Sequence, residues 1–228
     1  KGVQVMQPAT IKNLQEETDG SWRLDVLDKK EIYKVSTSFI VDASGRKSII
    51  EGKKIPYQPK LLATYAYWHC DKLNHTYSFI EAGSDHWYWG APTSKADFVL
   101  CIFSDPSKIK EAPSIEKYYQ HQISRSTLAT AITNEYAYKD VFVCDATAHY
   151  DANPIGKNFI KIGDSAYTLD PISSQGVQKA LKSGIQGAII TNTILKKENS
   201  QLAIKYYHNQ IASEVSKNKR WTIDFYDE

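Results

Sequence analysis

The chain has 228 residues, 42% hydrophobic and 24% charged, with 28 basic against 26 acidic side chains. That length buries a real core and allows one or two domains, and the composition is globular rather than disordered. The near-balanced charge of +2 argues against nucleic acid and acidic membranes as partners, and no apolar run reaches the ~18 residues of a membrane span.

The three cysteines, Cys70, Cys101 and Cys144, form no CxxC. A scattered, odd set reads as buried thiols in a reducing compartment, so the expected location is cytoplasmic. His69, His75, His86, His121, His149 and His208 show no metal-ligand spacing, and no metal is expected. Only His86, beside a Trp-Tyr-Trp run, is singled out as a candidate general acid or base.

In chain order, Val3 to Met6, Thr10 to Glu16, Trp22 to Leu27 and Ile32 to Val41 read as strands, with Asp19-Gly20 as a hairpin turn. Four further short strands, Leu61 to Cys70, Tyr77 to Glu81, His86 to Ala91 and Phe98 to Phe103, suggest an antiparallel sheet. Ser114 caps a helix from Ile115 to Ser124, a shorter helix lies around Leu128, and Val141 to Cys144 returns to the sheet. Phe159 to Ile162 is a last apolar strand. The helix after it places Val177, Leu181, Gly184, Ile185 and Ala188 on one face, predicted to pack on a sheet through the small residues. A second helix is predicted from Ser200 to Ser216, with no clear element from Trp221 onward.

Three motifs carry chemistry. Gly163-Asp164 closes the last strand, and Asp170-Pro171-Ile172-Ser173-Ser174-Gln175-Gly176 opens the helix. A carboxylate at a strand end can accept hydrogen bonds from sugar-like hydroxyls. Ser174 can cap the helix, Gly176 lets backbone approach a flat ligand, and the helix start suits an electron-rich edge. The second motif, Phe39 to Ser48, is an apolar strand followed by Asp42-Ala43-Ser44-Gly45-Arg46. The third is Trp87-Tyr88-Trp89-Gly90-Ala91-Pro92, which also reads as a strand with two same-face tryptophans buried in a sheet.

Together these strings resemble the fingerprints of FAD-dependent oxidoreductases of the flavin monooxygenase and flavin-dependent halogenase superfamily. The resemblance implies that Asp164, after Gly163, holds a ribityl hydroxyl of FAD, and that Gln175, Gly176 and Val177, after Pro171, face the pyrimidine edge of the isoalloxazine. It implies that Asp42 and Gly45 lie beside the diphosphate and adenosine, with Ile11 at the adenine. The WxWxIP-like strand would stand between flavin and substrate, which puts Trp87, Trp89, Pro92 and His86 on the substrate side.

Two departures qualify this picture. Ser173 stands where tryptophan halogenases have a glutamate, and neither their reactive lysine nor a G-x-G-x-x-G occurs in the 228 residues. The chain is therefore expected to be the carboxyl-terminal part of such an enzyme and, alone, to bind FAD poorly.

The expected fold is α/β: a partial Rossmann-like FAD-binding domain (residues 1–56 and 153–228) interrupted by an antiparallel-sheet substrate domain (residues 57–152). The implied activity is hydroxylation of an aromatic or peptidyl substrate through a flavin hydroperoxide, with electrons from NAD(P)H or a flavin reductase. Halogenation is the alternative, and a non-catalytic fragment is the third reading.

Overall fold

The computed structural model describes residues 2–69, 77–133 and 136–226. Cys70 and His75, named above, lie outside these. The chain divides into two compact units, Lys1–Tyr57 with His149–Glu228, and Gln58–Ala148.

The first unit opens with β1 (Ala9–Glu16), β2 (Trp22–Asp28) and β3 (Glu31–Thr37), an antiparallel meander in that order. Gly20 makes the first turn at φ +81°, a conformation open to glycine. The predicted strand Val3 to Met6 does not form; Val3 and Val5 are exposed and pair with no strand among the described residues. The long run Ile32 to Val41 is also broken. Thr37 Oγ1 bonds the backbone of Phe39, the chain leaves the meander, and β4 (Ile40–Asp42) starts a different sheet. A short β5 (Lys54–Pro56) follows.

The second unit carries β6 (Leu62–His69), β7 (Phe79–Ala82), β8 (His86–Pro92), β9 (Asp97–Ser104), α1 (Pro106–Lys110), α2 (Ile115–Arg125), α3 (Thr127–Thr133), β10 (Ala137–Tyr138) and β11 (Phe142–Asp145). The strands form one antiparallel sheet in the order β10-β6-β9-β8-β7, with β11 also pairing with β6. Ser114 caps α2 by accepting from Lys117 N at 3.1 Å. Alternation along the strands buries Ala66, Trp68, Tyr88, Leu100 and Ile102 in one cluster with Tyr119 and Ile123 of α2. The Tyr119 hydroxyl completes that core, 3.0 Å from Trp68 Nε1 and 2.9 Å from the Leu100 carbonyl.

The chain then returns to the first unit with β12 (His149–Asp151), paired with β5, and β13 (Phe159–Lys161), paired in parallel with β4. One face of this parallel pair sets Ile40 and Phe159 against Trp22 and Ile50; the other sets Ile160 against Ile190, Ile194, Tyr207 and Ile211 of α4 (Gly176–Leu195) and α5 (Ser200–Tyr226). Helix α5 runs well past the predicted end at Ser216 because its buried stripe continues through Val215, Asn218 and Thr222.

Helix α4 corrects the sequence reading. Its buried stripe is Lys179, Ser183, Gly187, Ile190 and Ile194. The close approach to the sheet is made by Gly187, where a Cβ would sit 2.7 Å from Ile162 Cγ2, not by Gly184 or Ala188. The apolar stripe read from the periodicity faces outward, with Val177, Leu181 and Ile185 all more than half exposed, and Ile189 beside them is exposed too. Hydrophobic periodicity identifies a face but not which body covers it. Contiguous apolar surface of this kind promotes association. Replacing both Leu181 and Ile185 by lysine is expected to change the stability of this chain by less than about 1 kcal/mol. The same double variant should lower self-association in sedimentation velocity; unchanged self-association would show that the stripe plays no part in it.

Candidate functional site

Open α/β sheets bind ligands beyond the carboxyl ends of their parallel strands. Here β4 and β13 end side by side, and the loops that follow them are stitched together. Ile162 N donates to Asp42 O at 2.9 Å, and Ser165 Oγ lies 2.7 Å from the same carbonyl. The 3-10 turns Gly45–Lys47 and Gly163–Ser165 lie against each other.

Asp42 is fully buried and its carboxylate points into its own loop. Oδ1 accepts from Ser44 N and Ser44 Oγ at 2.9 and 2.6 Å; Oδ2 accepts from Ser48 Oγ, Ile49 N and Ile50 N at 2.7, 3.0 and 3.1 Å. Burial pushes the carboxyl up, but these donors outweigh it and hold Asp42 below the usual carboxylate range. Its geometry is that of a loop organiser. Gly45, at φ +80° with open space where a Cβ would point, presents bare backbone instead.

Gly163 turns at φ +61° and donates its N–H to Ser183 Oγ of α4 at 2.8 Å. Asp164 follows, its side chain 41% exposed, with Oδ1 on the ammonium of Lys179. Among the described contacts Oδ2 has no protein donor. Lys179 is buried in the first turn of α4 and also donates to Tyr167 O at 2.6 Å. Burial depresses its pKa and the Asp164 carboxylate pulls it back up.

The Asp170-Pro171 segment is a 3-10 turn, Pro171–Ser173, capped by Asp170 Oδ1 on Ile172 N at 3.0 Å. Burial raises the Asp170 pKa. The segment is fastened from below, because Tyr57 OH reaches both Thr168 O and Asn218 Oδ1 of α5, at 2.7 and 2.8 Å. Ser174 does not cap the helix: it adopts the left-handed conformation at φ +52° and turns the chain, leaving Gln175 as the N-cap with no capping side chain. The first turn of α4 therefore offers its N–H groups outward at Gly176 and Val177, both exposed. Among the described residues, a Cβ on Gly176 would meet no atom within 4 Å.

The remaining candidates lie elsewhere. Ile11, on β1, lines a cleft of about 820 Å³ together with Leu14, Trp22, Asn153 and Phe159; Asp164 and Gly176 do not line it. In the second unit, pleating puts Trp87 and Trp89 on one face of β8 and His86 on the other. Trp87 stacks on Phe103 at 3.9 Å. The His86 ring is buried between Asp85 Oδ1 at 2.8 Å and the Tyr88 hydroxyl at 2.6 Å, so this strand does not bring His86 to the tryptophan face. Pro92 ends β8, half-buried. Sequence reasoning missed Lys179, Ser183, Tyr57 and Asn218. A lysine in the first turn of an apolar helix was a legible signal, since a cation there opposes the helix dipole; the others carry no local signature.

No family model matches the chain. A protein of Marinomonas mediterranea named as an FAD-dependent oxidoreductase, LodB, is 23% identical over 220 residues, covering 90% of this chain and 60% of its own length. Among solved structures, the myxobacterial chondrochloren halogenase CndH superposes with a TM-score of 0.83 at 18% identity, over 96% of this chain and 54% of that one. The peptidyl tryptophan dihydroxylase QhpG, essential for tryptophylquinone cofactor biogenesis, gives 0.79 at 21% identity, over 95% and 50%. The chain thus spans 60% or less of the length of each of these three proteins.

Proposed function

We propose, for a chain whose relatives and structural neighbours are FAD-dependent oxidoreductases and flavin-dependent halogenases, that the whole protein is an FAD-dependent monooxygenase acting on an aromatic or peptidyl substrate. The observation that carries the flavin assignment is a juxtaposition at the carboxyl end of the β4–β13 pair. Among the described residues one oxygen of Asp164 has no protein donor, and beside it the uncapped first turn of α4 has open space at Gly176.

These residues fit the ring and polyol parts of FAD. Asp164 would accept from a ribityl hydroxyl, and the N–H groups at Gly176 and Val177 would face the electron-rich edge of the ring. Gly45 would let the Asp42 loop come close to the rest of the cofactor. A bound flavin supplies the redox chemistry; the chain's part is to orient it and keep water from it. The antiparallel sheet of residues 57–152 is proposed as the substrate domain, with Trp87, Trp89 and Pro92 toward the substrate. The likeness to QhpG favours hydroxylation and the likeness to CndH favours halogenation. Product mass measured with and without chloride or bromide separates them: a halide-dependent mass gain replaces the hydroxylase reading with the halogenase one.

Gly176→Val tests the ring assignment. No described residue opposes a side chain there, so stability should change by less than about 1 kcal/mol. Flavin affinity, read by fluorescence titration of the flavin-free whole protein with riboflavin, should fall at least about tenfold. Unchanged affinity in a folded variant would remove Gly176 from the site.

A further inference from the structure

We propose that Lys179 is a positioning residue for ligand recognition by Asp164: it grips one carboxylate oxygen from inside the protein and so presents the other to a ligand hydroxyl. The inference rests on the flavin reading above and narrows it to the polyol chain.

Lys179 sits where a lysine is unfavourable twice over. Its side chain is 4% exposed, and an ammonium buried in low dielectric is costly without a partner. It also stands in the first turn of α4, where the positive end of the helix dipole repels a cation. No other charged residue lies on this stripe, which otherwise buries Ser183, Gly187, Ile190 and Ile194. Departures from local preference of this kind mark functional sites.

What the ammonium does there is specific. It donates to Asp164 Oδ1 and to Tyr167 O, and it lies 4.9 Å from the centroid of the Tyr167 ring. Two hydrogen bonds and a cation–π contact account for its three N–H groups. The contacts span Asp164 to Tyr167, so a single side chain ties the loop after β13 to the helix whose first turn forms the other wall of the site. Without it, Asp164 would be a half-exposed carboxylate free to change rotamer. With it, Oδ1 is committed inward and Oδ2 is left for the ligand.

The test measures dissociation constants of two flavins for the flavin-free whole protein by fluorescence. Riboflavin carries the ribityl chain; lumiflavin has the same ring with a methyl group in its place. Lys179→Met should weaken riboflavin roughly tenfold or more and lumiflavin less than about twofold, and Asp164→Asn should show the same pattern. Combining the two should add nothing further, because both act on one hydrogen bond. Lys179→Gln, which keeps a neutral donor, should fall between wild type and methionine, and it carries the comparison if the methionine variant does not fold.

Equal losses for both flavins, or additive losses in the double variant, would make Lys179 merely structural and overturn the proposal. Undiminished riboflavin binding by Asp164→Asn would overturn it too, while leaving flavin binding intact. A flavin-free wild-type whole protein that binds neither flavin would overturn the flavin reading itself, and the proposal with it.

Discussion

Asp151→Ala is expected to cost about 3–5 kcal/mol of stability, the largest loss of any single substitution considered for this chain. Asp151 and Lys161 are both completely buried, with Lys161 Nζ 2.7 Å from Asp151 Oδ2. The lysine also reaches Glu51 O at 3.3 Å, and Asp151 Oδ1 accepts from Asn153 N at 2.8 Å. Lys161 is a residue of β13, one of the two parallel strands that carry the site. Removing the carboxylate leaves an ammonium with no counter-charge in a closed space. The space is tight because Gly52 lies directly over the pair, and any side chain there would collide with both partners. In thermal melts the loss should lower the midpoint by roughly 6–20 °C. The double variant Asp151→Leu with Lys161→Met should recover most of it, since two apolar residues leave no charge to compensate. A single variant with wild-type stability would mean that the ammonium finds water or another acceptor.

Asp42→Ala is expected to cost about 3 kcal/mol and to make stability less dependent on acid. The buried carboxylate accepts from three backbone N–H groups and two serine hydroxyls. Alanine strands these donors, of which Ile50 N is buried. The pH dependence follows from linkage. The folded pKa of Asp42 lies below its ordinary value, so its stabilisation is complete above the unfolded pKa of about 3.9 and is lost as pH falls through the folded value. The stability gap between wild type and variant should therefore be constant from about pH 7 to 5 and narrow below about pH 4. A gap independent of pH down to about pH 2 would show that the loop does not depend on the ionised form.

The sequence by itself determined the local chemistry: the hairpin at Asp19-Gly20, the Ser114 cap, the antiparallel strands with their alternating aromatics, and the mixed α/β class. It also determined the GD and Asp-Pro strings that point to a flavin-binding relative. Each of these is written in neighbouring residues, through turn preference, capping or period-two patterning. What only the tertiary structure decided is which surfaces meet. Val3 to Met6 alternates like a strand yet finds no pairing partner among the described residues. The run from Ile32 to Val41 serves two sheets because its end pairs with β13, more than a hundred residues on. The outward stripe of α4 and the inward one differ by packing against Ile160 and Ile162, which no helical period encodes. The same holds for the site. Asp164 was legible as a carboxylate after a strand, but its commitment to Lys179, and the use of Asp42 as the centre of its own loop, depend on which donors the fold brings within hydrogen-bond range. Side-chain partnership is a property of distance in space, and only the fold sets that distance.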